Sequence, residues 1–87
     1  MILEPFLLKG AATKMYWEVF QSGVSERAEI AKETAEEYGL PFIPLQNKFD
    51  EAAELSSGEY WLWDGIHPTA AGHEIIKREW MKAFKEL

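Results

Sequence analysis

The stretch Trp61-Leu62-Trp63-Asp64-Gly65-Ile66-His67-Pro68-Thr69-Ala70-Ala71-Gly72-His73 decides how this chain is read. An Asp and a His stand three residues apart, fixed by a Gly and a Pro, directly before a helical pattern. Pro68 disfavours the helical region for His67, so the imidazole projects from extended backbone ahead of the last helix. Gly65 permits a tight turn that folds the Asp64 carboxylate back towards a ring nitrogen of His67. A carboxylate placed there fixes the tautomer and stabilises the imidazolium formed when the other nitrogen takes a proton. That is the base half of a Ser-His-Asp device. A single D-x-x-H is also met in ordinary loop hydrogen bonds, and spacing alone leaves both readings open.

Upstream of this block the pattern is that of an α/β chain. Ile2-Leu3-Glu4-Pro5-Phe6-Leu7-Leu8 is a short, nearly continuous apolar run, which predicts a strand buried on both faces with Pro5 near its end. Lys9 to Gly23 is ambiguous between a loop excursion and a helical turn or two. Val24, Ala28, Ala31, Ala35 and Tyr38 share one helical face, and the spacing predicts a helix over 24–38 with Ser25 as its N-cap. Gly39 and Pro41 mark its end. Pro41-Phe42-Ile43-Pro44-Leu45 reads as a second strand, parallel to the first across a helical crossover.

Leu45, Phe49, Ala52 and Ala53 then predict a short helix ending near Ser56-Ser57-Gly58. After a Trp-rich loop, Thr69 to about Phe84 reads as the last helix, apolar at Ile76, Trp80, Ala83 and Leu87, with Trp80 in the core. Two strands with three to four helices leave open sheet edges and too little covered face. Partner strands are therefore expected from a second copy of the chain or from a complementary N-terminal half.

The 87 residues make one small domain, 1–87, with 47% hydrophobic and 14% aromatic residues, as in a globular chain. A net charge of −6 argues against a nucleic-acid partner. The acids of 26–37 and 50–59 read as solvated helix faces, without the alternating acidic loop that calcium requires. No apolar run is long enough to span a membrane, and the start lacks the basic region and the small-residue cleavage site of a signal peptide. The absence of cysteine removes disulfides and thiolate chemistry and fits a cytoplasmic chain. No cofactor or metal is expected: His73 lies six residues after His67, without paired-histidine ligand spacing, and reads as a helix-surface or hydrogen-bonding residue.

With its flanks, Trp63-Asp64-Gly65-Ile66-His67-Pro68-Thr69 and Ala70-Ala71-Gly72-His73 resembles the last block of the SGNH hydrolases, the GDSL-type lipases and acylesterases, where D-x-x-H-P opens the C-terminal helix. The resemblance extends over the whole chain. Ile2–Leu8 looks like a late core strand, 24–39 like the crossover helix, Phe42–Leu45 like the final strand and 69–87 like the closing helix. It implies the C-terminal part of a flavodoxin-like three-layer α/β/α domain, and a serine-type hydrolase of small acyl esters or acetylated carbohydrates. Asp64 would orient His67, and His67 would act as general base. Trp61 and Trp63, in the loop beside the base, are the candidates for an acyl or sugar pocket.

The family's nucleophile serine, glycine and asparagine blocks have no counterpart in these residues. Asn47 stands in no such motif. Ser22, Ser25, Ser56 and Ser57 lack the strand-to-helix elbow that presents a nucleophile. Met15-Tyr16-Trp17 reads either as a lid over a cleft or as a contact with a further part of the domain. A non-catalytic, self-associating helical or domain-swapped module is the alternative reading of the chain.

Overall fold

The computed structural model describes all 87 residues. In order along the chain they form β1 (Ile2–Leu3), α1 (Trp17–Tyr38), β2 (Phe42–Ile43), α2 (Gln46–Leu55), α3 (Gly58–Trp61) and α4 (Ala70–Lys85). The two strands pair in parallel, Ile2 opposite Phe42 and Leu3 opposite Ile43. The amides of Ile2 and Glu4 donate to the carbonyls of Pro41 and Ile43, both at 2.9 Å. This is the α/β arrangement that the sequence predicts, with α1 as the crossover between the strands.

The strands are shorter than the apolar runs suggest. Beyond Leu3 the chain stays close to β2's exit but exchanges the backbone ladder for side chains. Glu4 Oε1 accepts from the amides of Leu45 and Gln46 at 2.8 and 2.7 Å, satisfying orphan donors at the start of α2, where no residue of the helix caps its own end. Gln46 in turn donates through Nε2 to the Leu7 carbonyl at 2.8 Å and accepts the Leu7 amide through Oε1 at 2.9 Å. One amide side chain thereby replaces a strand partner for the buried Leu7, while the backbone of the buried Leu8 is satisfied by the Gly65 carbonyl and the Thr13 hydroxyl.

The crossover helix begins seven residues before the predicted start. It opens at Trp17, so Ser25 lies exposed in its interior and caps nothing, and Gly23 is absorbed within it. Its end is as predicted: Gly39 takes the left-handed conformation at φ 65°, and its amide bonds back to the last turn. Ala35 is buried and Val24, Ala28 and Ala31 are half-buried, but Tyr38 is 70% exposed.

The core gathers Leu8, Ile43, Leu45, Phe49 and Leu62, with Met1, Phe6, Trp61, Ile75, Ile76 and Ala83 packed around them. Phe6 stacks on Phe49 with ring centroids 4.5 Å apart. Trp80 and Leu87 are not part of this core. Trp80 is on the surface, stacked along the helix on Phe84 at 5.2 Å, and Leu87 is exposed past the helix end. The seam of α4 runs instead through Ile75, Ile76 and Ala83. No helix is long and apolar enough to cross a membrane.

Where α4 begins, Thr69 caps it by accepting the Gly72 amide at 3.2 Å and ties it to α3 by donating to the Tyr60 carbonyl at 2.6 Å. Gly72 is buried at the crossing, where a Cβ would collide with the Trp61 carbonyl oxygen and lie 3.2 Å from Pro68 Cβ. Alanine normally stabilises a helix interior by up to ~1 kcal/mol over glycine. At position 72 the sign reverses: Gly72→Ala is expected to lower stability by about 1–3 kcal/mol through overpacking, read as a lower urea midpoint.

Candidate active site

The loop between α3 and α4 is a narrow antiparallel excursion. Leu62 bridges Pro68, and the Trp63 amide donates to the His67 carbonyl at 3.1 Å, so 64–66 form its tip. Pro68 keeps His67 from joining α4, and Gly65 takes φ 98°, which side-chain-bearing residues rarely adopt. The turn folds Asp64 back onto the segment that follows it. Oδ1 accepts the amides of Ile66 and His67 at 2.9 and 2.8 Å, while Oδ2 lies 2.6 Å from His67 Nδ1.

All three contacts favour the ionised carboxylate. Burial of Asp64, whose side chain is only 10% exposed, pushes its pKa up. The His67 amide, the His67 ring and the Ile66 amide together outweigh burial and bring the pKa from 3.8 down to about 2. A carboxylate in that state only accepts, so Nδ1 of His67 carries the proton and a neutral ring has its lone pair on Nε2. The His67 side chain is 65% exposed, and Nε2 has no partner within the chain. Trp63 lies against the imidazole with ring centroids 5.6 Å apart and planes 24° from parallel, and is itself 59% exposed.

The two tryptophans of the predicted pocket therefore occupy different surroundings. Trp63 lies on the His67 ring. Trp61 packs against the core, its ring edge to Tyr60, and lines a groove between α2 and α4 with Leu55 and Ile75. None of the four serines is hydrogen-bonded to His67. Ser22 and Ser25 are exposed on α1, and Ser56 and Ser57 separate α2 from α3. His73 is exposed on the first turn of α4, and Asn47 is exposed on α2. Met15 and Tyr16 are exposed, and Trp17 opens α1 with Lys9 Nζ 5.9 Å from its ring centroid.

Sequence reasoning missed Thr13, which lies behind the loop tip and is fully buried. Its neighbours Gly10 and Lys14 carry only the polar, glycine-containing signature of a loop. The burial of a threonine among exposed residues has no local sequence signal.

No family model matches the chain. An acetylxylan esterase of Geobacillus stearothermophilus is 24% identical over 82 residues, which cover 94% of this chain and 36% of that protein. Among solved structures, a protein from Parabacteroides merdae ATCC 43184 described as a GDSL-like lipase superposes with a TM-score of 0.80 at 34% identity, over 93% of this chain and 37% of that one. The chain thus spans little more than a third of the length of the relatives it matches.

The depressed pKa of Asp64 sets a pH dependence. A carboxyl group more acidic in the folded than in the unfolded chain stabilises the fold above the unfolded value and loses that contribution as pH falls through the folded one. The stability gap between the wild type and Asp64→Asn, measured by urea unfolding, is expected to be constant above about pH 5 and to shrink between pH 4 and pH 2.

Proposed function

We propose that this chain, which superposes on part of a GDSL-like lipase, supplies the orienting acid and general base of a serine-type ester hydrolase of the GDSL (SGNH) type. The observation that carries this reading is the 2.6 Å contact between Asp64 Oδ2 and His67 Nδ1, with Nε2 left unpartnered on an exposed ring. In the reaction, a serine hydroxyl attacks the acyl carbonyl while His67 Nε2 takes its proton. The imidazolium so formed is stabilised by the Asp64 carboxylate, which stays ionised. His67 then returns the proton to the leaving alcohol. In the second half of the cycle water attacks the acyl-serine, His67 takes its proton, and the proton passes to the serine oxygen as the acyl group leaves as the carboxylic acid. The serine and the oxyanion donors belong to motifs outside these 87 residues, and the base acts only together with them.

The substrate is a small acyl ester, and an acetylated carbohydrate suits the site best. Trp63 presents an exposed aromatic face beside the base, the kind of surface on which the apolar face of a pyranose stacks. The name of the acetylxylan esterase relative points the same way.

A second reading is favoured by a different observation. The two-stranded sheet leaves both edges unpaired, and Met15, Tyr16, Val19 and Phe20 are exposed around the start of α1. Such a surface calls for cover, by a complementary N-terminal half or by a second copy of the chain.

One preparation separates the two. The chain is combined with the amino-terminal portion of a family member, assayed on p-nitrophenyl acetate and acetylated xylan, and sized by light scattering. Turnover is expected, falling by a factor on the order of 10⁴ in Asp64→Asn and by still more in His67→Ala. Turnover that survives His67→Ala overturns the base assignment. A dimer or larger assembly of this chain with no turnover favours the self-associating module.

A further inference from the structure

We propose that Thr13 is the positioning residue of the Asp64–His67 pair. This extends the reading of that pair as an oriented base and concerns how the base is held. Asp64 cannot hold itself in place: its two carboxylate oxygens are committed to Ile66, the His67 amide and the His67 ring. The carboxylate therefore sits wherever the backbone of 64–65 sits, and that backbone is fixed from behind by the segment 8–13.

Two hydrogen bonds join the segments. The Leu8 amide donates to the Gly65 carbonyl at 2.9 Å, and the Ala12 amide donates to the Asp64 carbonyl at 2.8 Å. Thr13 Oγ1 gives those two donors their spacing. It donates to the Leu8 carbonyl at 2.7 Å and accepts the Gly10 amide at 2.9 Å, closing residues 8–13 into one turn. The contact is backbone against backbone. A Cβ on Gly10 would lie 2.8 Å from the Asp64 carbonyl carbon, and one on Gly65 would lie 2.5 Å from the Leu8 carbonyl oxygen and 2.7 Å from Thr13 Oγ1.

Both glycines are thus required by close approach, and the threonine hydroxyl fills the space between them. Thr13 and Asp64 are the two buried polar side chains of the molecule, one behind the other. A hydroxyl so placed transmits the rigidity of the β1 exit to the carboxylate without touching substrate.

Nuclear magnetic resonance of the chain tests this independently of esterase turnover, so failure here and failure of the hydrolase reading are separable. Thr13→Val keeps the shape and removes the hydroxyl, whereas Thr13→Ser keeps the hydroxyl. The valine variant is expected to retain its core amide signals. It should lose the low-field His67 Nδ1 proton to exchange with water, and the Ile66 and His67 amides should exchange about tenfold faster. The serine variant is expected to match the wild type. A folded Thr13→Val that keeps the low-field proton and both protected amides overturns the proposal.

Should the valine variant not fold, the wild type still decides. The Leu8, Gly10 and Ala12 amides are expected to exchange through the same opening as those of Ile66 and His67. Protected 66–67 amides beside freely exchanging 8–12 amides overturn the proposal as well.

Discussion

The site depends on one carboxylate that does three things at once. Asp64 accepts two backbone amides with one oxygen and the His67 ring with the other, so it folds its own loop and orients the imidazole by the same act. A carboxylate left in a buried loop would take up a proton, because burial disfavours its charge. Here the amides of residues 66 and 67 prevent this, and an acid with a pKa of about 2 stays ionised throughout the range in which a histidine titrates. Structure and chemistry therefore share one interaction. The constraint that allows it is Gly65, whose positive φ turns the chain and whose missing side chain lets residues 8–13 close behind it.

That closure explains the order of the elements. The parallel pairing of β1 with β2 brings the β1 exit beside the start of α2, where the Glu4 carboxylate accepts the Leu45 and Gln46 amides and the Gln46 side chain pairs with the Leu7 backbone. From this anchored exit the turn at 8–13 reaches the back of the loop tip. Thr69 and Gly72 then lock α4 against α3, so that both stems of the loop are fixed while His67 remains at the surface. A rigid support beneath an exposed imidazole is what the proposed proton transfer to and from an external hydroxyl requires.

The parts of this arrangement that are local in sequence were legible from it. Asp64, Gly65, His67 and Pro68 act within five residues, and the physics of turn, proline and carboxylate reads directly from their order. The end of the crossover helix at Gly39 is of the same kind. What was not legible depends on partners far along the chain. Glu4 caps a helix 41 residues away, Gln46 stands in for a strand partner of Leu7, and Thr13 supports Asp64 across the fold. Gly23 and Ser25 suggest a helix boundary, yet α1 runs through both from Trp17, and its first turns are largely exposed, so nothing local or buried marks that start. The spacing from Ile76 puts Trp80 on the core face of α4, but the structure keeps the expected Ile76 and Ala83 on that seam, adds Ile75 and leaves Trp80 at the surface.

Asp64 imposes one tautomer and one orientation on His67. The most direct measurement is the pair of ring ¹⁵N chemical shifts of neutral His67 in the folded chain. The proton is expected on Nδ1 with Nε2 unprotonated, and Asp64→Asn should disturb that preference. A neutral His67 carrying its proton on Nε2 in the wild type would contradict the account, because no lone pair would then face an incoming hydroxyl.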